Sequence, residues 1–414
     1  MNYRIELLLK KLVYFIIVIL TLQVVKVVFN KLNFSYSFFF ELIIIALQFL
    51  ALLGFIFISL FQILLKRYTS VRKTWLMAWL LFIVQVVLME GLCTYWLYHS
   101  TQIPGFIKNS YPYFYRTYLQ RAIQYDEEAF EYNGKLFYTM KPNVSSLFSN
   151  PEFKTHIQAN NAGLRDDDKS LNSPSVICIG DSFTFGWGVE QENAFPQLLE
   201  KISARKVLNA GIPSYGTARE IIGLQEFDRR CLNYLIIQYC TNDDYENNSF
   251  IHDHFVLNIS SKEEYEHISK GYKINRQYFP ARNCTVLGLI FLKQLINKVH
   301  YFFPVELPEA EVMVNTQSVK QFLDIVAKAP VDLSKTKILV FQLDSRQNMH
   351  STFAHVADSL IHTPYYQSIF NNNLKAIDFS KKLTKSDFFI LDNHINAAGH
   401  KKVADIIGNE LHNF

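Results

Sequence analysis

Val176-Ile177-Cys178-Ile179-Gly180-Asp181-Ser182-Phe183-Thr184-Phe185-Gly186-Trp187-Gly188 is the stretch on which the reading of this 414-residue chain turns. Four consecutive apolar residues, three of them β-branched, read as a short strand buried on both faces. The small residues around Ser182 let the backbone turn sharply at the strand end and leave the serine at the rim of a sheet, the geometry a nucleophile turn requires. A serine hydroxyl is a poor nucleophile at neutral pH, so it needs a base beside it and donors for the oxyanion it creates. Taken alone, the stretch reads equally well as an ordinary strand-to-helix turn in which Asp181 or Ser182 caps the next helix.

Working outward, strand-like and helix-like pieces alternate. Segment 195–204 reads as a helix, 206–209 as a strand and 218–227 as a helix, while 235–240 and 338–343 are apolar runs bounded by polar residues. Runs buried on both faces indicate an α/β domain with a mainly parallel sheet covered by helices. Ligands in such folds bind beyond the carboxyl ends of the strands. Ser182 follows the first strand, Asn209-Ala210-Gly211-Ile212-Pro213-Ser214-Tyr215-Gly216 the second, and Thr241-Asn242-Asp243-Asp244 the third. Asp392-Asn393-His394 lies near the C-terminus, where Asn393, Asn396 and Gly399 suggest a turn into a helix over 397–411. Each supplies a different part of an acyl-transfer site: a histidine to activate the serine, an aspartate to orient it, and a backbone N–H with an asparagine amide for the oxyanion.

In that order, Gly180-Asp181-Ser182, the Gly211 segment, Asn242 and Asp392-x-His394 resemble the sequence blocks of the SGNH hydrolases, also called GDSL-type esterases. The resemblance runs from about residue 132 to the C-terminus. It implies a three-layer, flavodoxin-like fold and an acyl-serine mechanism. Ser182 attacks the ester carbonyl, His394 takes and returns the proton, and Asp392 holds the imidazole. The oxyanion is bound by the N–H of Ser182, by a second-block N–H from Gly211 or Ser214, and by the Asn242 side chain. Ser214 stands where many members have glycine, which leaves the choice of second-block donor open. Asn160-Asn161-Ala162-Gly163-Leu164-Arg165-Asp166 is similar to a segment that often precedes the serine block in extracytoplasmic members, and the Asp-x-His spacing is similar to that of the polysaccharide O-acetyltransferase branch.

The first hundred residues carry the apolar excess of a chain that is 50% hydrophobic and 15% aromatic. Segments 12–29, 38–65 and 75–97 read as transmembrane helices, so 1–98 is expected to be a membrane region, 99–132 a juxtamembrane connector and 133–414 the catalytic domain. Arg4, Lys10 and Lys11 precede the first span, and Lys66, Arg67, Arg72 and Lys73 fill the loop between the second and third. Both belong on the cytoplasmic side, which places the catalytic domain extracytoplasmic. Glu41 and Glu90 fall inside spans; Glu41 can reach the interface, while Glu90 is deeper and calls for a polar partner. A net charge of +4 with no basic cluster among aromatics outside the membrane flanks argues against a nucleic-acid partner. The five cysteines show no metal-binding spacing, so neither cofactor nor metal is expected; Cys231 and Cys284 could bridge in an oxidising compartment.

An insertion over 245–333 interrupts the α/β pattern, and 286–303 could form an amphipathic helix serving as lid, acceptor wall or membrane contact, or as plain packing on the sheet edge. The expected function is an esterase or O-acyltransferase acting on acylated cell-envelope carbohydrate or another ester, with a membrane-bound acyl-donating partner. The competing reading is a non-catalytic carbohydrate-binding or scaffolding protein that keeps the same fold.

Overall fold

The computed structural model of the chain describes residues 3–31, 37–65, 71–99, 115, 121–288, 313–346, 348 and 350–414. Two compact units emerge, Met1–Leu119 with Lys270–Val305, and Gln120–Ser269 with Glu306–Phe414.

The first unit holds three long helices, α1 (Tyr3–Lys31), α2 (Ser37–Leu65) and α3 (Val71–Tyr98). By length and composition, α2 and α3 can cross a membrane through Phe40–Phe57 and Leu76–Leu97. Of the three spans expected, these two have helices long and apolar enough among the described residues. The apolar part of α1 among the described residues is Leu12–Val27, short of the roughly 20 apolar residues a span needs. The two acids singled out in these helices are both answered. Glu41 pairs with Lys26 of α1 at 3.4 Å. Glu90 accepts the backbone N–H groups of Asn283 (3.1 Å) and Cys284 (2.9 Å), and the Asn283 amide donates to Thr94 Oγ1 at 2.9 Å. Residues 282–288 are helical, so Glu90 serves as a tertiary cap for a helix start whose first N–H groups have no partner within the helix.

Cys284 is thereby buried in the first unit while Cys231 is exposed in the second, and both are free thiols, which removes the bridge considered above. Of the amphipathic helix expected over 286–303, only 286–288 falls among the described residues. Most of the expected connector, 100–114 and 116–120, also lies outside them.

The second unit opens with two antiparallel hairpins, β1 (Phe130–Asn133) with β2 (Phe137–Met140) and β3 (Ser145–Asn150) with β4 (Phe153–Gln158). The chain then alternates through β5 (Val176–Ile179), α4 (Ser182–Phe185), α5 (Phe195–Ser203), β6 (Val207–Asn209), α6 (Thr217–Gly223), β7 (Tyr234–Tyr239), α7 (Asp244–His252) and α8 (Lys262–Asn275). After the insertion come α9 (Thr316–Ala327), β8 (Lys337–Gln342), α10 (Phe353–Ile361), α11 (Pro364–Phe370), β9 (Leu374–Ala376) and α12 (Ala397–Asn413). The five later strands form one parallel sheet in the order β6-β5-β7-β8-β9.

The period-2 alternation of a strand explains why these runs are apolar throughout. Ile177 and Ile179 face one core with Leu235, Ile237, Ile338 and Val340, closed by α6, α9, α10 and α11. Val176 and Cys178 face the other with Ile236, Leu339 and Phe341, closed by Phe195 and Leu199 of α5 and Val403, Ala404, Ile407 and Leu411 of α12. Three layers result. β9 and the two hairpins were not assigned from the sequence: β1, β2 and β9 are only three or four residues long and carry little periodicity, and the six-residue β3 is mostly polar.

His400, on α12, is fully buried, and its Nδ1 accepts the Phe195 N–H at 3.2 Å. Burial, helped by the nearby Arg165 and His394, lowers its pKa to about 3. An unfolded histidine titrates near 6.5, so between these values the unfolded chain binds the extra proton and stability falls as the pH falls. Going from pH 7 to pH 5 costs wild type about 2 kcal/mol that His400→Gln does not lose, measured by denaturant unfolding at the two pH values.

Candidate active site

The turn after β5 is shaped by what it excludes. A Cβ on Gly180 would lie 2.1 Å from Thr184 Oγ1 and 2.6 Å from Gln238 Oε1, so only glycine lets the strand end meet α4 and β7 this closely. Asp181 caps α4 by accepting the Phe183 N–H at 2.9 Å, which makes Ser182 the first helical residue. Gln238, inside β7, accepts from the Asp181 N–H (3.2 Å) and the Thr184 hydroxyl (3.1 Å). Asp181 is thus the cap, as one reading of the motif had it, and Ser182 stands at the strand end that the cap shapes.

The far side of the turn hangs on Arg165. Its guanidinium is fully buried and donates to four carbonyls: Phe185 (3.1 Å), Gly186 (2.5 Å), Val189 (2.6 Å) and His156 (3.2 Å). Burial lowers its pKa to about 10, which still leaves it charged at neutral pH. The preceding segment exists to deliver this side chain. Asn160 Oδ1 accepts from Ala162 N–H (3.1 Å) and Leu164 N–H (3.0 Å), and Gly163 adopts φ +74° against Met140 O, where a Cβ would come within 2.1 Å. Next to it, Asp166 accepts the Asn209 N–H at 2.7 Å and so ties the segment to the end of β6; burial raises its pKa to about 6.

Ser182, Asp392 and His394 are brought together across 212 residues of sequence. Ser182 Oγ lies 2.7 Å from His394 Nε2, and His394 Nδ1 is hydrogen-bonded to Asp392 Oδ1, which also accepts the His394 backbone N–H at 3.2 Å. A carboxylate on Nδ1 places the proton there and leaves Nε2 as the acceptor for the serine hydroxyl. Ser182 is 8% exposed, the His394 side chain 13% and the Asp392 side chain 0%, so the carboxylate end of the series is closed to water.

Asn242, in a one-turn 3-10 helix after β7, donates its amide to Asp181 Oδ2 at 3.3 Å, on the loop that carries the serine. Asp181 itself is buried, and burial raises its pKa. The two second-block candidates separate. Gly211 donates its N–H to Asn209 Oδ1 at 3.1 Å, and a Cβ there would lie 2.3 Å from Phe185 N; its place is a close approach to α4. Ser214 has φ +61°, the left-handed conformation glycine favours, and its hydroxyl accepts from Gln124 Nε2 at 3.0 Å. Across 210–216, Ser214 is the residue whose backbone N–H has no acceptor among the described residues.

Sequence reading missed two side chains at the centre. Trp187 donates Nε1–H to Asp392 Oδ2 at 3.2 Å and stacks on the His394 ring at 5.1 Å between centroids, while Phe183 packs on the imidazole at 4.8 Å. Trp187 belongs to the serine motif, but nothing in one sequence says that an indole five residues past the serine reaches the loop before α12.

Set against known proteins, the chain matches no protein-family model and no curated protein. Among solved structures it is similar to a candidate lipolytic protein of the G-D-S-L family from Desulfitobacterium hafniense DCB-2, at 16% identity and a TM-score of 0.27, over 56% of this chain and 97% of that one. The chemistry of the site rests on its own geometry.

Arg165→Lys is expected to destabilise the fold by about 3 kcal/mol or more in denaturant unfolding, because one ammonium cannot reach four buried carbonyls and each orphaned acceptor costs about 1–3 kcal/mol.

Proposed function

We propose that this protein is a membrane-anchored serine ester hydrolase or O-acyltransferase that works through an acyl-serine intermediate on O-acylated carbohydrate of the cell envelope. The observation that carries the reading is the hydrogen-bonded series from Ser182 Oγ through His394 to Asp392.

In the first step His394 Nε2 takes the hydroxyl proton as Ser182 Oγ attacks the ester carbonyl. Asp392 keeps the imidazolium oriented, and Trp187 holds the second carboxylate oxygen. The oxyanion is met by the N–H of Ser182 at the start of α4, the N–H of Ser214 and the amide of Asn242. The tetrahedral intermediate collapses, the ester C–O bond breaks, and His394 returns its proton to the leaving alcohol. The acyl-serine then passes its acyl group to a second hydroxyl that His394 deprotonates; the Ser182 Oγ–acyl bond breaks and the imidazolium returns the proton to Ser182 Oγ. Water in that role makes an esterase, and a sugar hydroxyl makes an acyltransferase. The apolar helices favour envelope chemistry with a membrane-bound acyl donor, since an enzyme acting freely in solution has no use for them. A non-catalytic carbohydrate-binding or scaffolding role would not need a serine, a base and a buried carboxylate in one hydrogen-bonded series.

Full-length protein in detergent should be labelled by a fluorophosphonate and hydrolyse an aryl acetate. Ser182→Ala abolishes both signals, and Asp392→Asn lowers turnover by about 10⁴-fold by allowing the wrong imidazole tautomer. Folded wild type without either signal sinks the hydrolytic reading, whereas labelling with little turnover points to a transferase lacking its acceptor.

The cytoplasmic preference of Lys66, Arg67, Arg72 and Lys73, which lie between the apolar segments 40–57 and 76–97, supports an extracytoplasmic catalytic domain whether or not α1 crosses. A reporter fused after Tyr111 should be active only outside the cytoplasm; activity confined to the cytoplasm reverses the orientation.

A further inference from the structure

Pro151 and Glu152 form the tip of the β3–β4 hairpin, some 240 residues before the Asp392 loop. The Glu152 carboxylate nevertheless accepts three consecutive backbone N–H groups of that loop. Oε1 takes Ile390 (2.8 Å), and Oε2 takes Leu391 (2.7 Å) and Asp392 (2.7 Å). Three successive amides converging on one anion form a nest, and bonds to a charged acceptor are the stronger kind.

Other bonds hold the loop at its base and at the Asp392 carboxylate, which Trp187 and the His394 N–H reach. A bridge between Phe388 and Ile395 and the bond from Phe389 N–H to His394 O at 3.0 Å close its base, but residues 390–393 belong to no strand or helix. Ile390 lies at the surface, 62% exposed. The hairpin, by contrast, is a firm support. Its strands pair in register over six residues, and Phe153 packs on Phe148 and on Phe389 of the loop at 5.6 and 5.2 Å.

The third amide held is that of Asp392 itself. Fixing this N–H sets the backbone from which the carboxylate must reach His394 Nδ1 two residues later, in a site where a displacement of about 1 Å can cost on the order of 100-fold in rate. We propose that Glu152 is a positioning residue: it clamps the 390–392 backbone so that Asp392 faces His394. The consequence for turnover rests on the acyl-serine reading above, whereas the clamp and the Asp392–His394 alignment do not.

The test uses full-length protein in detergent with Glu152→Ala and Glu152→Gln, the latter keeping one oxygen acceptor but placing an amide donor against the N–H groups. Hydrogen exchange should accelerate by about tenfold or more over 390–392 in Glu152→Ala and by less in Glu152→Gln, with 176–188 and α12 unchanged. The far-downfield proton resonance of the His394 Nδ1–H bonded to Asp392, identified by its absence in His394→Ala, should be lost or move upfield in the same rank order. Fluorophosphonate labelling should slow by about 10–100-fold in Glu152→Ala. Unchanged exchange at 390–392 overturns the clamp, and faster exchange with an unmoved His394 resonance overturns the positioning role. If wild type shows no labelling, the acyl-serine reading fails alone, since exchange and the resonance still decide this one. If Glu152→Ala does not fold, the same two readouts in Glu152→Gln decide it.

Discussion

The arrangement hangs on a buried cation held by backbone carbonyls, with Glu190 and Glu192 acting on it only through their charge. α4 has only four residues, too few to hold itself as a helix, and its exit leaves carbonyls with no partner inside the element. The Arg165 guanidinium gathers those carbonyls, and their dipoles in turn solvate a charge that burial would otherwise penalise. Each side of the bargain makes the other tolerable. Ser182 stands at one end of this turn and Trp187 just past the other, so the guanidinium that fixes the backbone also fixes the serine and the indole that reaches Asp392.

Around that turn the site is assembled from loops at the carboxyl ends of a parallel sheet, each held by a side chain from somewhere else in the chain. Gln238 inside β7 grips the Asp181 end, Asp166 grips the end of β6, and Glu152 grips the loop before α12. The imidazole packs on Trp187 and on Phe183, and the carboxylate beyond it is sealed from water. Little water competes for these hydrogen bonds, which strengthens each of them.

The apolar helices show the same logic in a different solvent. Glu41 meets Lys26, and Glu90 meets the buried leading amides of a helix start at 283 and 284. That cap also divides the insertion. Residues 281–288 pack in the first unit, with Gly288 against Phe49 of α2, while α9 belongs to the core of the second. What reads as one insertion in sequence serves two bodies.

How much of this was legible depended on the range of the interaction that carries it. The strand over 176–179, the helices near 195–204 and 397–411, the apolar helices and the cap-plus-serine turn follow from local periodicity and local sterics, which one sequence displays. The order of site residues after successive strands was also legible, because a parallel sheet gathers strand ends on one edge. The hairpins were not, being short strands stabilised by their partners and by Phe148 and Phe153 in the core. Nor were Arg165 as the holder of the turn, Trp187 as a partner of Asp392, Glu90 as a helix cap, or Glu152 as the acceptor of three amides. By itself the sequence determined the chemical inventory and the sheet that collects it. Only the tertiary structure decided which buried donor answers which acceptor, because that pairing is set by desolvation across tens to hundreds of residues and leaves no periodic trace along the chain.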